Sequence, residues 1–348
     1  MDGDENRGGV APLFQRGDGL IFLPKDREIC EALLRSDYER GDDAMPLPEL
    51  IVAVGRNFLD APYVAETLER EGPEELVINL RAFDCVTFVE NVVALAGLIR
   101  AGKTGFADFA AALERIRYRG GHRNGYPSRL HYFTDWLWDN GRRGIVRDIT
   151  RELGGIPFRK PFHALTDRRE EHPALKDAAA FRRMRIVEAA CSRRMQCHIA
   201  KADLNQAAEG IADGDIIAIT TDEKGLDVSH TGIAVHLQGR LRLLHASGAA
   251  GKVVLSDRPL DRYLLSRRTR TGIIVGRMTP EGAAGRRHVQ GPPRSQAEGK
   301  GAGGTPPPVP DMKKRSCYIY SASVGLDGRV PLPADKPMDY FPNEKEDR

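Results

Sequence analysis

The stretch Asn79-Leu80-Arg81-Ala82-Phe83-Asp84-Cys85-Val86-Thr87-Phe88-Val89-Glu90 decides how the chain is read. Aspartate is a helix-capping residue, its side chain accepting from backbone N–H groups of a first turn. After Asp84, apolar positions recur through Val89, Val92, Val93, Leu95 and Leu98 at helical spacing. A helix this hydrophobic belongs inside the molecule. Cys85 then stands at the first position of a buried helix, where unpaired N–H groups and the helix dipole favour a thiolate. A lone cysteine beside a capping aspartate is more often an inert core thiol, so the reading turns on what the rest of the chain brings to it.

Working toward the C-terminus, the pattern changes at Gly214 to short β-branched runs, which predict strands over 215–220, 231–237, 241–245, 252–255 and 271–276. Asp213-Gly214 marks the entry and Gln238-Gly239 a hairpin turn. His230 opens one strand and His245 closes the next. Across a hairpin two such imidazoles can meet, one taking the thiol proton while the other fixes its tautomer. Working toward the N-terminus, residues 27–69 show two or three helices and residues 76–80 a short extended piece. Between the halves lie a helix over 108–116, a Gly- and Arg-rich loop over 119–129, and a crowd of aromatics over 130–138 that is either packed or substrate-facing. The class is α+β.

The chain has 348 residues, enough for one catalytic body with appendages. Its 52 basic and 49 acidic residues nearly balance, so no sequence-wide basic field points to nucleic acid. No run approaches the ~20 apolar residues of a membrane helix, and Met1 to Asp26 shows no secretory leader pattern. Five cysteines, an odd and scattered set, argue against a disulfide framework. Cys191, Cys197 and His198 lack zinc spacing and read as thiols on a helical segment and a nearby loop; no metal or cofactor is expected. Residues 280–315 are too rich in Gly, Pro and charge to offset the entropy of ordering. The expected division is a flexible arm (1–26), a catalytic domain (27–279), a disordered linker (280–315) and a tail (316–348). The oligomeric state is left open.

At this point a family resemblance enters. Asp84-Cys85-Val86-Thr87-Phe88-Val89 resembles the nucleophile block of NlpC/P60 cysteine peptidases, Gly214-Asp215-Ile216-Ile217 their following strand, His230-Thr231-Gly232-Ile233 the base block, and Leu244-His245-Ala246-Ser247 the strand bearing a third polar residue. Phe58-Leu59-Asp60-Ala61-Pro62-Tyr63 is similar to the segment whose tyrosine lies beside the nucleophile, although Asp60 and Ala61 stand where that segment has glycine and a small hydroxyl residue. More narrowly, the 79–90 stretch and Ser128-Arg129-Leu130-His131-Tyr132-Phe133 resemble the DUF1460 branch, N-acetylmuramoyl-L-alanine amidase-like, over roughly residues 47 to 278.

The resemblance implies a papain-like fold, with the nucleophile helix packed on an antiparallel sheet and added N-terminal helices. It implies a catalytic set of Cys85, His230 and His245, with Tyr63, Arg129, His131 and Ser247 on the substrate side. The substrate would be the amide between muramic acid and L-alanine in peptidoglycan fragments (muropeptides), attacked without a metal. A stem-peptide endopeptidase is the second reading. Arg129 could pair with a stem carboxylate, or Arg129 and His131 could be an ordinary polar loop packed on aromatics. Such a substrate points to the cell envelope or periplasm by resemblance, but with no export signal visible in the chain, recycling of fragments in the cytoplasm stays open as the alternative.

Overall fold

A computed structural model describes residues 15–283, residue 18 excepted. The expected tail, nearly all of the expected linker and the first 14 residues of the expected arm lie outside the described residues. Within the arm, β1 (Gln15–Gly17) and β2 (Leu20–Phe22) pair antiparallel, and β2 runs parallel to β3 (Leu76–Val77). Ile21 and Phe22 are buried there, which is why the chain is ordered before residue 27.

Helices α1 (Pro24–Glu39) and α2 (Leu47–Arg56) precede the long apolar helix α3 (Cys85–Arg100), followed by α4 (Phe106–Arg117) and α5 (Phe133–Arg142). The aromatics over 130–138 are mainly core: Trp136 is fully buried and stacks on Phe133, while Trp138 faces outward. Then come β4 (Val146–Asp148), β5 (Ile156–Phe158), α6 (Ala164–Asp167), α7 (Ala178–Arg193), β6 (Gln196–Ala200) and α8 (Leu204–Ala207). Cys191 is a buried thiol of α7, and Cys197 lies on a strand rather than in the expected loop.

The predicted strands are all present, as β7 (Ile216–Thr221), β8 (Val228–Leu237), β9 (Arg240–Ser247), β10 (Lys252–Leu255) and β11 (Arg270–Met278). Helix α9 (Leu260–Leu265) crosses between β10 and β11, and α10 (Pro280–Ala283) is a helical turn at the start of the expected linker. The sheet has eight antiparallel strands in the order β10-β9-β8-β7-β11-β6-β5, with β4 on β11.

Both faces of this sheet are buried, and strand alternation divides them. Ile216, Ala218, Ile233, Val235, Leu244 and Ala246 share a core with Phe88, Val89, Val92 and Leu95 of α3. Ile217, Ile219, Ala234, Leu243 and Val275 face a second core with Leu260 and Leu264 of α9. Helix α3 is therefore central, as its composition predicts, and it carries a buried carboxylate, Glu90, held 2.7 Å from Arg117 at the end of α4.

Candidate active site

The 79–90 stretch builds the start of α3 from local hydrogen bonds. Asn79 Oδ1 accepts from the Arg81 and Ala82 N–H groups, forming a side-chain turn. Buried Asp26 accepts from the Leu23 and Leu80 N–H groups and from Arg81 Nε, tying the stretch to the start of α1. Asp84 then caps α3: its Oδ1 accepts from the Thr87 N–H at 2.7 Å, while Thr87 Oγ1 accepts from the Asp84 N–H at 3.0 Å. Cys85 is left as the first helical residue, half-buried, with its thiol free.

The segment before it is strapped in from two sides. The Tyr63 N–H donates to Gly251 O and the Asp60 N–H to Val253 O, so this segment runs along β10. On its other side, the Phe83 N–H donates to Pro62 O and the Val64 N–H to Phe83 O. Tyr63 is thereby placed beside Cys85. Asp60, at the position where the related segment has glycine, adopts φ +66°, and it pairs with Lys252 at 2.7 Å. Aspartate tolerates that left-handed conformation better than most residues, so the turn survives the substitution.

The imidazoles come from the hairpin. The β8–β9 pairing stops at Ile233 opposite Leu244, and β9 continues against β10 instead. In an antiparallel ladder successive residues turn their N–H groups to opposite neighbours. The Thr231 N–H, freed of a β9 partner, donates to the Cys85 sulfur. His230 and His245 lie on the same face, with His230 Nε2 and His245 Nδ1 2.6 Å apart and the rings nearly perpendicular. Gly232 makes room: a β-carbon there would stand 2.8 Å from that of His245. The bond occupies His230 Nε2 and leaves Nδ1 outside the imidazole pair.

Two further groups frame the site. The Tyr263 ring centroid is 6.1 Å from that of His230 and 5.4 Å from that of His245, and the Arg270 guanidinium lies 4.0 Å from the Tyr263 centroid. Neither residue carries a sequence signal; Tyr263 sits on a six-residue helix whose Leu260 and Leu264 are core.

The electrostatics differ from the expected preformed thiolate. Burial, reinforced by the Asp84 carboxylate, pushes the Cys85 thiol up to about 12, against the pull of the Thr231, Cys85 and Val86 N–H groups. Burial, with the charges of His245, Arg270 and Arg267, holds His230 well below its usual value. His245 falls to about 4 through burial and Arg270. The resting site is a neutral thiol beside a neutral imidazole pair. A proton passing from sulfur to His230 would create opposite charges side by side, each offsetting the penalty on the other. Tyr63, raised to about 12 by burial and then by Cys85 and Asp84, stays protonated and can donate.

The remaining expected site residues lie elsewhere. Arg129 is only 5% exposed and its guanidinium is spent inside the chain, on Leu68 O at 2.7 Å, Glu69 at 2.5 Å and Glu74 at 3.6 Å. His131 Nε2 meets Tyr126 O at 3.0 Å. Among the described residues this cluster shares no hydrogen bond, ion pair or ring contact with Cys85, Tyr63, His230 or His245. Of the two readings of Arg129, this enclosure favours the ordinary polar loop, because its guanidinium already has partners within the chain. Ser247 is buried too; its Oγ accepts from the Ala250 N–H, closing the turn that presents Gly251 O to Tyr63.

A sequence model of the AmiA-like family, N-acetylmuramoyl-L-alanine amidase-like, matches residues 53–273. The chain belongs to this family. The AmiA-like chain is also similar to a crystal structure of an N-acetylmuramoyl-L-alanine amidase from Bacteroides uniformis, at 38% identity and TM-score 0.63, over 67% of this chain and 99% of that one. A Bacteroides fragilis protein described as a candidate xylanase matches at 38% identity and TM-score 0.60, over 65% of this chain and 99% of that one. A Legionella pneumophila protein of the DUF1460 family shares the fold at 22% identity and TM-score 0.55, over 73% of this chain and 96% of that one. No curated protein matches. Among the described residues no helix is long and apolar enough to cross a membrane.

The neutral imidazoles make stability depend on acid. The unfolded chain takes up a proton at His245 near pH 6.5, the folded chain only near 4. The contribution of this group is whole above pH 6.5 and lost progressively down to about pH 4, amounting to roughly 3 kcal/mol. Denaturant titrations across that window are expected to show a shallower acid slope for His245→Gln than for the wild type. An equal slope in both proteins would contradict a buried neutral His245.

Proposed function

We propose that this AmiA-like chain is a papain-like cysteine amidase of the NlpC/P60 type that hydrolyses the N-acetylmuramoyl-L-alanine amide of peptidoglycan fragments. The observation carrying this reading is the convergence, from two distant parts of the sequence, of the Cys85 sulfur under the Thr231 N–H and of His230 locked to His245 at 2.6 Å. Cys85 attacks the amide carbonyl while His230 Nδ1 takes the thiol proton, and His245 stabilises the resulting imidazolium through Nε2. The N–H groups at the start of α3 and the Tyr63 hydroxyl are donors suited to the oxyanion. His230 then protonates the departing amine, and water releases the thioester with His230 again as base.

The xylanase description of one relative fits the site less well. Glycoside hydrolysis uses two carboxylates flanking the bond, whereas a thiol, two imidazoles and two phenols meet here. Arg129, His131 and Ser247 fall outside the substrate contacts in this reading, and the residue ranges 280–315 and 316–348 keep their proposed roles as linker and tail. The envelope or periplasm remains the proposed location.

The test is digestion of a defined muropeptide followed by mass analysis. The expected products are the intact muramic sugar with a free lactyl carboxylate and a peptide beginning with L-alanine, both missing with Cys85→Ala. Cleavage inside the peptide would make the protein an endopeptidase, and unchanged cleavage by Cys85→Ala would remove the nucleophile.

A further inference from the structure

The turn between α9 and β11 forms one wall of the site and is fixed at both ends. At one end Tyr263 packs against both imidazoles. At the other, the Arg270 guanidinium lies over the Tyr263 ring and bonds Tyr263 O and Ser266 Oγ. Lys201 Nζ donates to Arg268 O, closing the turn from outside. Between the fixed ends stands Arg267, exposed, with no hydrogen-bond or ion-pair partner for its guanidinium among the described residues. Lying on the turn between Tyr263, which packs on both imidazoles, and Arg270, which lies over the Tyr263 ring, it stands on the imidazole side of the site, and its charge acts on His230, Tyr263 and Arg270. The opposite side, around Tyr63, carries the carboxylates of Asp84 and Glu66.

This asymmetry matters because the two halves of an amide leave the site differently. The base protonates the departing amine, so the amine half must lie on the imidazole side. We propose that Arg267 is a specificity-determining residue that binds a carboxylate on the amine half of the substrate. The inference rests on the amidase reading above and gives it a direction: an anionic peptide on the His230 side, an uncharged acyl group toward Tyr63. Arg270 is less suited to this role because it is buried, with its guanidinium over the Tyr263 ring and Nη1 bonded to Tyr263 O and Ser266 Oγ, whereas the exposed Arg267 fork is open for a bidentate pair.

The experiment separates binding from turnover. Calorimetric titration of Cys85→Ala with N-acetylmuramoyl-L-alanyl-D-glutamate, and with the same compound carrying both carboxyls as carboxamides, is expected to favour the acid by about ten- to a hundred-fold, the scale of one charge-assisted contact. Adding Arg267→Ala is expected to erase that preference, Arg267→Lys to keep part of it, and Arg268→Ala to leave it in place. A preference that persists in Cys85→Ala/Arg267→Ala, or one that is missing from Cys85→Ala alone, overturns the proposal. Turnover of the two compounds by the protein with Cys85 intact tests the amidase reading separately: failure to cleave either removes that reading, while the titration still decides whether Arg267 selects the acid. Among the described residues the exposed Arg267 side chain makes no hydrogen bond or ion pair, so thermal unfolding of its variants should match the parent.

Discussion

Alanine at His230 is expected to cost about as much activity as alanine at Cys85, and the two substitutions together no more than either alone. A thiol held near 12 supplies almost no thiolate at neutral pH, so in the proposed mechanism attack depends on transferring the proton during the step, with His230 as the acceptor. Without it kcat should fall at least about 10³-fold, the upper range for a positioned general base, with the remainder coming from binding and oxyanion contacts. His245→Ala is expected to cost less, because Nδ1 of His230 remains and only its orientation and its charged form lose support. KM should change little in all three variants, since none removes a contact made equally in the ground state. Steady-state kinetics on one muropeptide decide this. Multiplicative losses in Cys85→Ala/His230→Ala would mean that the two residues do not act in one proton transfer.

The parts of this site that were legible in the sequence are those built from local chemistry. A capping aspartate followed by an apolar helix fixes where Cys85 sits, and period-two runs around His230 and His245 fix a hairpin; both follow from backbone hydrogen bonding over a few residues. What escaped is long-range. Tyr263 reaches the imidazoles because α9 packs beneath the sheet, and nothing in the sequence around it distinguishes it from a core tyrosine. Arg129 and Arg267 show the same limit in opposite directions. Each is an arginine near aromatic residues in the chain, but Arg129 is enclosed by Glu69 and Glu74 from about 60 residues upstream, while Arg267 faces no acid at all among the described residues. The charge state of Cys85 follows the same limit: the helix start is visible in the sequence, but the burial that opposes it depends on tertiary packing. Strands β4, β5 and β6 were missed because they are only three to five residues long and β5 contains a proline.

The largest stability effect should come from the ion pair beneath the site. Glu90 lies on α3, five residues after Cys85, and its partner Arg117 also donates to Val77 O at 2.6 Å; both side chains are 2% exposed. Burial pushes the Glu90 carboxyl up and the Arg117 charge pulls it back. Replacing Arg117 by methionine removes that compensation and leaves an unpaired carboxylate in the core. The expected loss is about 3–5 kcal/mol, the usual penalty for orphaning one member of a buried pair. Exchanging both residues for leucine should recover most of it, since the double change also removes the desolvation of two charges. Urea unfolding of the single and double variants measures the difference. In Arg117→Met the Glu90 carboxyl must either stay charged and unpaired or bind a proton, so this variant should lose less relative to wild type as pH falls toward the carboxyl's raised range. A loss below about 1 kcal/mol at neutral pH, the size of an exposed pair, would mean that water reaches Glu90 and that the start of α3 is not held from below.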